Sequence, residues 1–325
     1  MATEPKTFTT EDNTGFGERS SLGGSRFYRK DGKANVVRKG IRFLDQMSWY
    51  HTMIALPRIR FYFWLLIPYI CINCLFGLVY FLIGVDHLVG IDKSSPMNEY
   101  VEAFFFSAQT FTTVGYGHVS PSGVLTSAIA SFEAFLGVLS FALASGLFYG
   151  RFSRPRSYLK FSNIGVIGPY KEGRALMFRA VPYKNNHLVD AEVKLTLAMR
   201  VVKNGEEKNE FYPLRVEISR INSLVLNWTI VHALDENSPI SNISLERLKE
   251  YKAEVLVHIK AYDEGFSNTV IARTSYTAAE IVEGAKFITM YTPSRSGQAT
   301  VLHIDRLNVY EKAELPPAAK PGGSE

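Results

Sequence analysis

Cysteine is nearly absent from this 325-residue chain, which has only Cys71 and Cys74, three positions apart inside one apolar run. Thiols so placed share a helix and build no disulfide framework; the bland reading is small residues packed in that helix. Charge is missing from the middle. Residues 61–150 hold one Lys and five acids, against eleven Lys/Arg and six Asp/Glu in residues 1–60. Residues 151–325 hold twenty-four Lys/Arg and twenty acids. A nearly charge-free centre between charged ends reads as membrane-embedded, although 46% hydrophobic and 21% charged overall would suit a soluble protein. Other absences exclude function classes. No zinc-finger spacing, RNA-binding aromatic motif or long basic helix accompanies the net charge of +5, so nucleic acid is not the expected partner. No nucleophile motif or metal-ligand spacing suggests an enzyme, and no cofactor is implied. No Gly-x-Gly-x-x-Gly loop follows residue 151, which argues against a nucleotide-binding domain. The N-terminus shows no short apolar stretch with a cleavage site, so no secretory signal peptide is expected.

What is present starts with two apolar spans. Residues 61–84 carry no charge and are long enough to cross a hydrocarbon core of ~30 Å at about 1.5 Å per residue. Pro68 and Asn73 are tolerable there if neighbouring helices satisfy the polar groups. Residues 123–150 make the second span, with Glu133 as its only charge. Its Ala residues, Gly137 and Gly146 let helices approach closely, and the glycines permit bending equally well. Arg38, Lys39, Arg42, Arg58 and Arg60 precede the first span, and Arg151, Arg154, Arg156 and Lys160 follow the second. Residues 85–122 contain only Lys93, so both termini are expected in the cytoplasm and the connecting loop outside, in a cell membrane, with a bacterial inner membrane the first choice. Arg58, Arg60, Arg151, Arg154, Arg156 and Lys160 are candidates for contact with anionic lipid, each worth ~1 kcal/mol near the surface. Positive-inside bias already accounts for some of them.

The expected organisation has five parts. Residues 1–40, rich in Thr, Ser, Gly and charge, read as a largely disordered cytoplasmic N-terminus. Residues 41–57 mix aromatic and apolar residues with Arg42, Asp45 and His51, which suits an interfacial helix; a plain linker is the alternative. Residues 58–152 form the membrane domain. Short β-rich runs at 158–167, 174–181, 191–202, 223–230, 253–262, 269–276 and 301–309 predict an all-β sandwich over 153–312. One short helix is expected at 244–251, capped by Ser244, and a loose tail at 313–325. The fold class is thus membrane α plus all-β.

Between the spans, residues 97–111 are apolar but too short to cross, as a re-entrant pore helix would be. Thr112 follows, then Thr113-Val114-Gly115-Tyr116-Gly117, nearly the whole signature of a K⁺ selectivity filter. Such loops line a pore with carbonyl oxygens that replace the ion's hydration shell, and the glycines permit the backbone angles this needs. One chain carries one filter loop and two spans, so it cannot close a pore alone; a homotetramer is the economical solution.

The chain resembles the inward-rectifier K⁺ channel family, especially its prokaryotic branch, from about residue 43 to about 292. Beyond the filter, the resemblance rests on Leu176-Met177-Phe178-Arg179, the run from Val189 to Leu195, and the run from Asn227 to Pro239. Asp263-Glu264, Thr274-Ser275-Tyr276 and Arg151-Phe152-Ser153-Arg154-Pro155 add to it. It implies an interfacial slide helix, two membrane helices, a pore helix and an immunoglobulin-like cytoplasmic domain that extends the pore. It implies K⁺ as the permeant ion, regulation by phosphoinositide or other anionic lipid, and block by Mg²⁺ or polyamines. Gln109, Thr112 and His118 would support the filter. Family members usually carry Glu where Gln109 stands, and prokaryotic members Asp where His118 stands. An external His118 either tunes conduction with pH or is a solvated loop residue. Phe141, Ser145 and Tyr149 recur at helical spacing. By resemblance they line the inner pore, with Tyr149 at the gate; a lipid-facing stripe is the alternative. Strong rectifiers have an acid where Phe141 stands. Glu206, Glu207, Asp263 and Glu264 either add charge to the cytoplasmic vestibule or are solvated loop acids.

Overall fold

The computed structural model describes residues 10, 14–17, 26–40, 42, 48–203 and 205–317. The chain divides into two compact units, Lys39–Arg154 and a second made of Met1–Arg38 with Pro155–Glu325.

In the first unit a proline sets the first break. Leu56 is extended (φ −57°, ψ 148°), because a residue before proline is disfavoured in the helical region. Helix α1 (Trp49–Ala55) ends there and α2 (Arg58–Ile83) starts afresh after Pro57. Of the expected interfacial helix at 41–57, positions 41 and 43–47 lie outside the described residues. Helix α3 (Pro96–Phe111) has 16 residues, about 24 Å, too short to span. Ser95 caps it by accepting the Asn98 N–H at 3.3 Å, with Pro96 at the first position, where no N–H is needed. Helix α4 (Val124–Phe152) follows Gly123, whose φ is +87°. The strands β1 (Leu88–Val89) and β2 (Ser120–Pro121) pair antiparallel and clamp the chain before α3 to the chain after its loop.

Helices α2 and α4 are long and apolar enough to cross a membrane, in good agreement with the two expected spans. Within each, 17% of the most apolar stretch is buried in the chain, so the rest needs lipid or another copy as its cover. Gly137 explains how α3 sits so close to α4. A Cβ at that position would lie 1.9 Å from the Phe111 carbonyl oxygen, so close packing, not bending, accounts for this glycine.

The second unit is a sandwich of two five-stranded sheets. The strands, in order, are β3 (Leu159–Phe161), β4 (Gly165–Tyr170), β5 (Gly173–Pro182), β6 (Leu188–Lys203), β7 (Glu206–Leu214) and β8 (Arg220–Ser223). They continue with β9 (Trp228–Ala233), β10 (Glu254–Asp263), β11 (Asn268–Thr277) and β12 (Ile281–Glu283). One sheet runs β11-β10-β6-β7, with β8 also on β6; the other runs β12-β4-β5-β3, with β9 on β5. Inward residues of both sheets make one core. Leu176, Phe178 and Ile230 from the second meet Val193, Leu195, Val257 and Ile259 from the first. The short helix α5 (Leu245–Glu250) is capped by Ser244 as expected.

The structure departs from the expected elements at several points. The strand foreseen at 301–309 is a three-residue strand, Thr300–Leu302, followed by a 3₁₀ turn over Ile304–Asn308. Strand β7 went unforeseen: Pro213 and its acids disguise it, and its order comes from a nine-residue register with β6. The N-terminal segment is not wholly loose either. Phe27 is buried against Ala198, Phe211 and Leu256, and Glu254 accepts the Phe27 N–H at 2.8 Å. Ser275 Oγ donates to the Tyr28 carbonyl at 2.7 Å, and Arg26 grips Glu280 with both terminal nitrogens at 3.2 and 2.9 Å. Residues 26–35 thus form a strap on the first sheet.

Candidate functional site

The loop after α3 is where the backbone departs furthest from regular structure. Thr113, Gly115 and Gly117 have φ of +58°, +54° and +78°, while Val114 and Tyr116 are absent from the left-handed region. In an ordinary strand successive carbonyls point to opposite sides. Alternating handedness at every second residue turns them to one side, and the two glycines reach it without the Cβ penalty. Thr113 holds it despite that penalty, the kind of strain found at functional sites.

The loop is anchored from behind by its amides. The Gln109 carbonyl accepts the N–H groups of Val114 at 3.0 Å and Gly115 at 3.4 Å, and the Thr110 carbonyl accepts Thr113 N–H at 3.0 Å. Thr112 Oγ1 donates to the Ala108 carbonyl at 2.7 Å and finishes α3. Among the described residues, no carbonyl from Thr113 to Gly117 accepts a hydrogen bond within the chain. All of Thr112–His118 is exposed, with Tyr116 at 79%. The segment therefore presents a row of free carbonyl oxygens.

A polar network lies behind α3. Glu133 on α4 is 0% exposed; Tyr80 of α2 donates to its Oε2 at 2.6 Å, and Ser107 of α3 contacts its Oε1. Ser107 Oγ also lies 3.0 Å from Asn73 Oδ1, and Asn73 Nδ2 donates to the Tyr69 carbonyl at 2.6 Å.

The family model for the inward rectifier potassium channel C-terminal domain matches residues 159–320, and one described as ion channel matches 69–153. The inward rectifier potassium channel Kirbac3.1 of Paramagnetospirillum magnetotacticum is 31% identical over 84% of this chain and 92% of its own length. The chain belongs to the inward rectifier potassium channel family. Human G protein-activated inward rectifier potassium channel 2 is 29% identical, and mouse channel 4 is 30% identical, each over 82% of this chain and 68% of its own length. A solved structure of the sporulation control protein Spo0M from Bacillus subtilis aligns with TM-score 0.21 and 12% identity, over 39% of this chain and 50% of that one; it carries no argument. This is a family of membrane ion channels rather than enzymes, K⁺ is its permeant ion, and its members need no cofactor.

The other candidate residues of this inward rectifier fall as follows. Phe141, Ser145 and Tyr149 are all exposed on α4, Phe141 at 76% and Tyr149 at 75%. Arg58, Arg60, Arg154, Arg156 and Lys160 are exposed. Arg151 is committed within the chain: its Nη1 donates to the carbonyls of Leu56 at 2.8 Å and Ile54 at 3.3 Å, and its guanidinium lies 4.8 Å from the Phe61 ring. Of the four acids, Glu206 and Glu207 stand exposed on β7 rather than in a loop, and Glu207 lies 3.5 Å from Arg200. Glu264 is exposed, but Asp263 is 1% exposed, with Oδ1 accepting the Phe266 N–H at 3.1 Å. Asp263 is thus buried in that turn, whereas Glu264 beside it faces solvent. Reading by sequence missed the set around Glu133. Its signal was there: a lone acid in one span and an Asn in the other mark polar residues that seek partners inside a membrane bundle.

Proposed function

We propose that this chain forms a homotetrameric K⁺ channel in which Thr113-Val114-Gly115-Tyr116-Gly117 is the selectivity filter. The observation that carries this reading is the alternation of left-handed φ at Thr113, Gly115 and Gly117 together with the unpartnered, exposed carbonyls of the same segment. A row of free carbonyls at membrane depth survives only beside water, ions or other protein, so further copies must enclose it. Four copies around one axis give a cage of carbonyl dipoles that replaces a hydration shell. Gln109, through its carbonyl, and Thr112 brace the loop, and His118 stands at its outer end.

Phe141, Ser145 and Tyr149 line the inner pore, and a ring of four Tyr149 side chains closes it by dewetting. Both termini are cytoplasmic, and the β sandwich is an immunoglobulin-like cytoplasmic domain on which Glu206, Glu207 and Glu264 are candidate vestibule charges. Arg58, Arg60, Arg154, Arg156 and Lys160 contact anionic lipid, phosphoinositides included, as exposed basic side chains do beside a membrane. Mg²⁺ and polyamines are weak blockers, because Phe141 gives the cavity no carboxylate. Rb⁺ uptake into liposomes containing only this protein, against a Na⁺ control, tests the reading.

A further inference from the structure

We propose that Glu133 is a positioning residue for the filter, held as the neutral acid that completes a hydrogen-bond network fixing α3 from behind. The proposal rests on the filter reading above and adds to it the part that holds the filter in register.

Asn73 Nδ2 sits 2.6 Å from the Tyr69 carbonyl, which only accepts; the amide cannot be turned the other way, so Oδ1 must face Ser107. Ser107 Oγ then has two close neighbours, Asn73 Oδ1 and Glu133 Oε1, and Glu133 Oε2 has a third contact with Tyr80. Three contacts need three hydrogens. The hydroxyls of Tyr80 and Ser107 supply two. With Glu133 ionised, one pair of lone pairs would face each other at a site closed to bulk solvent. With a proton on Oε1, all three close: Glu133 donates to Ser107, Ser107 to Asn73, and Tyr80 to Oε2. Asn73, Ser107 and Glu133 are each 0% exposed, and among the described residues no Lys, Arg or His bonds to Glu133. A lone buried carboxylate there would carry a large desolvation cost, which the neutral acid avoids. Among the described residues, Tyr80 is the one other titratable group that bonds to it.

The network also has an address. Ser107 stands two residues before Gln109, whose carbonyl holds the Val114 and Gly115 amides. One turn beyond Glu133, Gly137 meets the Phe111 carbonyl at the end of α3. Helix α4 thus grips α3 at two points, by a polar clasp at Ser107 and by close packing at Phe111. A shift of α3 passes directly to the amides that seat the filter.

The test compares the parent channel with Glu133→Gln and Glu133→Ala, by Rb⁺ against Na⁺ uptake in liposomes and by infrared spectroscopy at neutral pH. Parent selectivity is the control: its absence would defeat the filter reading itself, and the infrared arm would still decide the state of Glu133. The expected difference spectrum, parent minus Glu133→Gln, contains a carboxylic-acid carbonyl band. Glu133→Gln, which accepts and donates as the neutral acid does, keeps the parental ratio. Glu133→Ala strands Ser107 and Tyr80 and lowers the ratio by roughly tenfold or more. A carboxylate band in place of the acid band overturns the proposal. So does a Gln variant that loses selectivity, or an Ala variant that keeps it. If Glu133→Ala does not assemble, the Gln variant and the infrared band still decide.

Discussion

Single residues carry the sharpest consequences. Gly115 has φ +54°, and a side chain there costs about 1–2 kcal/mol in each chain, with the carbonyl row turned out of line. Gly115→Ala should abolish selective Rb⁺ uptake while leaving the protein in the membrane; parental selectivity in that variant would contradict the filter geometry. Gly137→Ala places a methyl against the Phe111 carbonyl, and overpacking of this kind costs about 1–3 kcal/mol. Its thermal transition in detergent should fall below the parent's. Phe141 is exposed and apolar, so block by internal spermine should be shallow in current–voltage recordings. Phe141→Asp should deepen the block, since a charge in a low-dielectric cavity acts more strongly than screened acids farther along the path. At this scale the left-handed turns at Gly115 and Gly117 were legible from five letters, because glycine permits those backbone angles. The clasp at Glu133 was half legible: a lone acid in a span announces a partner, but Tyr80 is 53 residues away and Ser107 is 26, and only the packed helices pair them.

At the scale of elements, the apolar runs predicted α2 and α4 to within a few residues, because a membrane solvent leaves the chain little choice. Strands were read less well. Strand β6 alternates and was found; β7 with its acids and Pro213 was not, since pairing rather than pattern orders it. The strap shows the same limit, because Arg26 meets Ser275 across 249 positions. Its anchor titrates. Burial raises the Glu280 carboxyl, but the Thr277 N–H, Arg26 and Lys30 outweigh it and leave it below the ordinary value of 4.5. A lowered carboxyl stabilises the folded form above its unfolded value and loses that contribution as pH falls through the folded value. The strap should therefore hold at neutral pH and loosen only in acid below pH 4.5. Amide exchange at Phe27 and Tyr28, whose N–H groups Glu254 accepts, reports it. Glu280→Gln should speed that exchange at pH 7, and an unchanged rate would separate the strap from the ion pair.

At the scale of the whole molecule, one chain leaves several surfaces uncovered. Its two spans leave most of their apolar surface uncovered, the carbonyls of Thr113–Gly117 lack partners among the described residues, and its candidate gate residues stand in the open. The proposed fourfold assembly in a bilayer would cover all three. Tyr149→Ala then acts on the assembly: it should raise flux under conditions that close the parent, and unchanged flux would put the constriction elsewhere. The most direct test of the account is ion selectivity in liposomes that contain this protein and no other. Uptake of Rb⁺ and K⁺ with exclusion of Na⁺ is the predicted result, and equal passage of Na⁺ and K⁺ through the unmutated channel would contradict it.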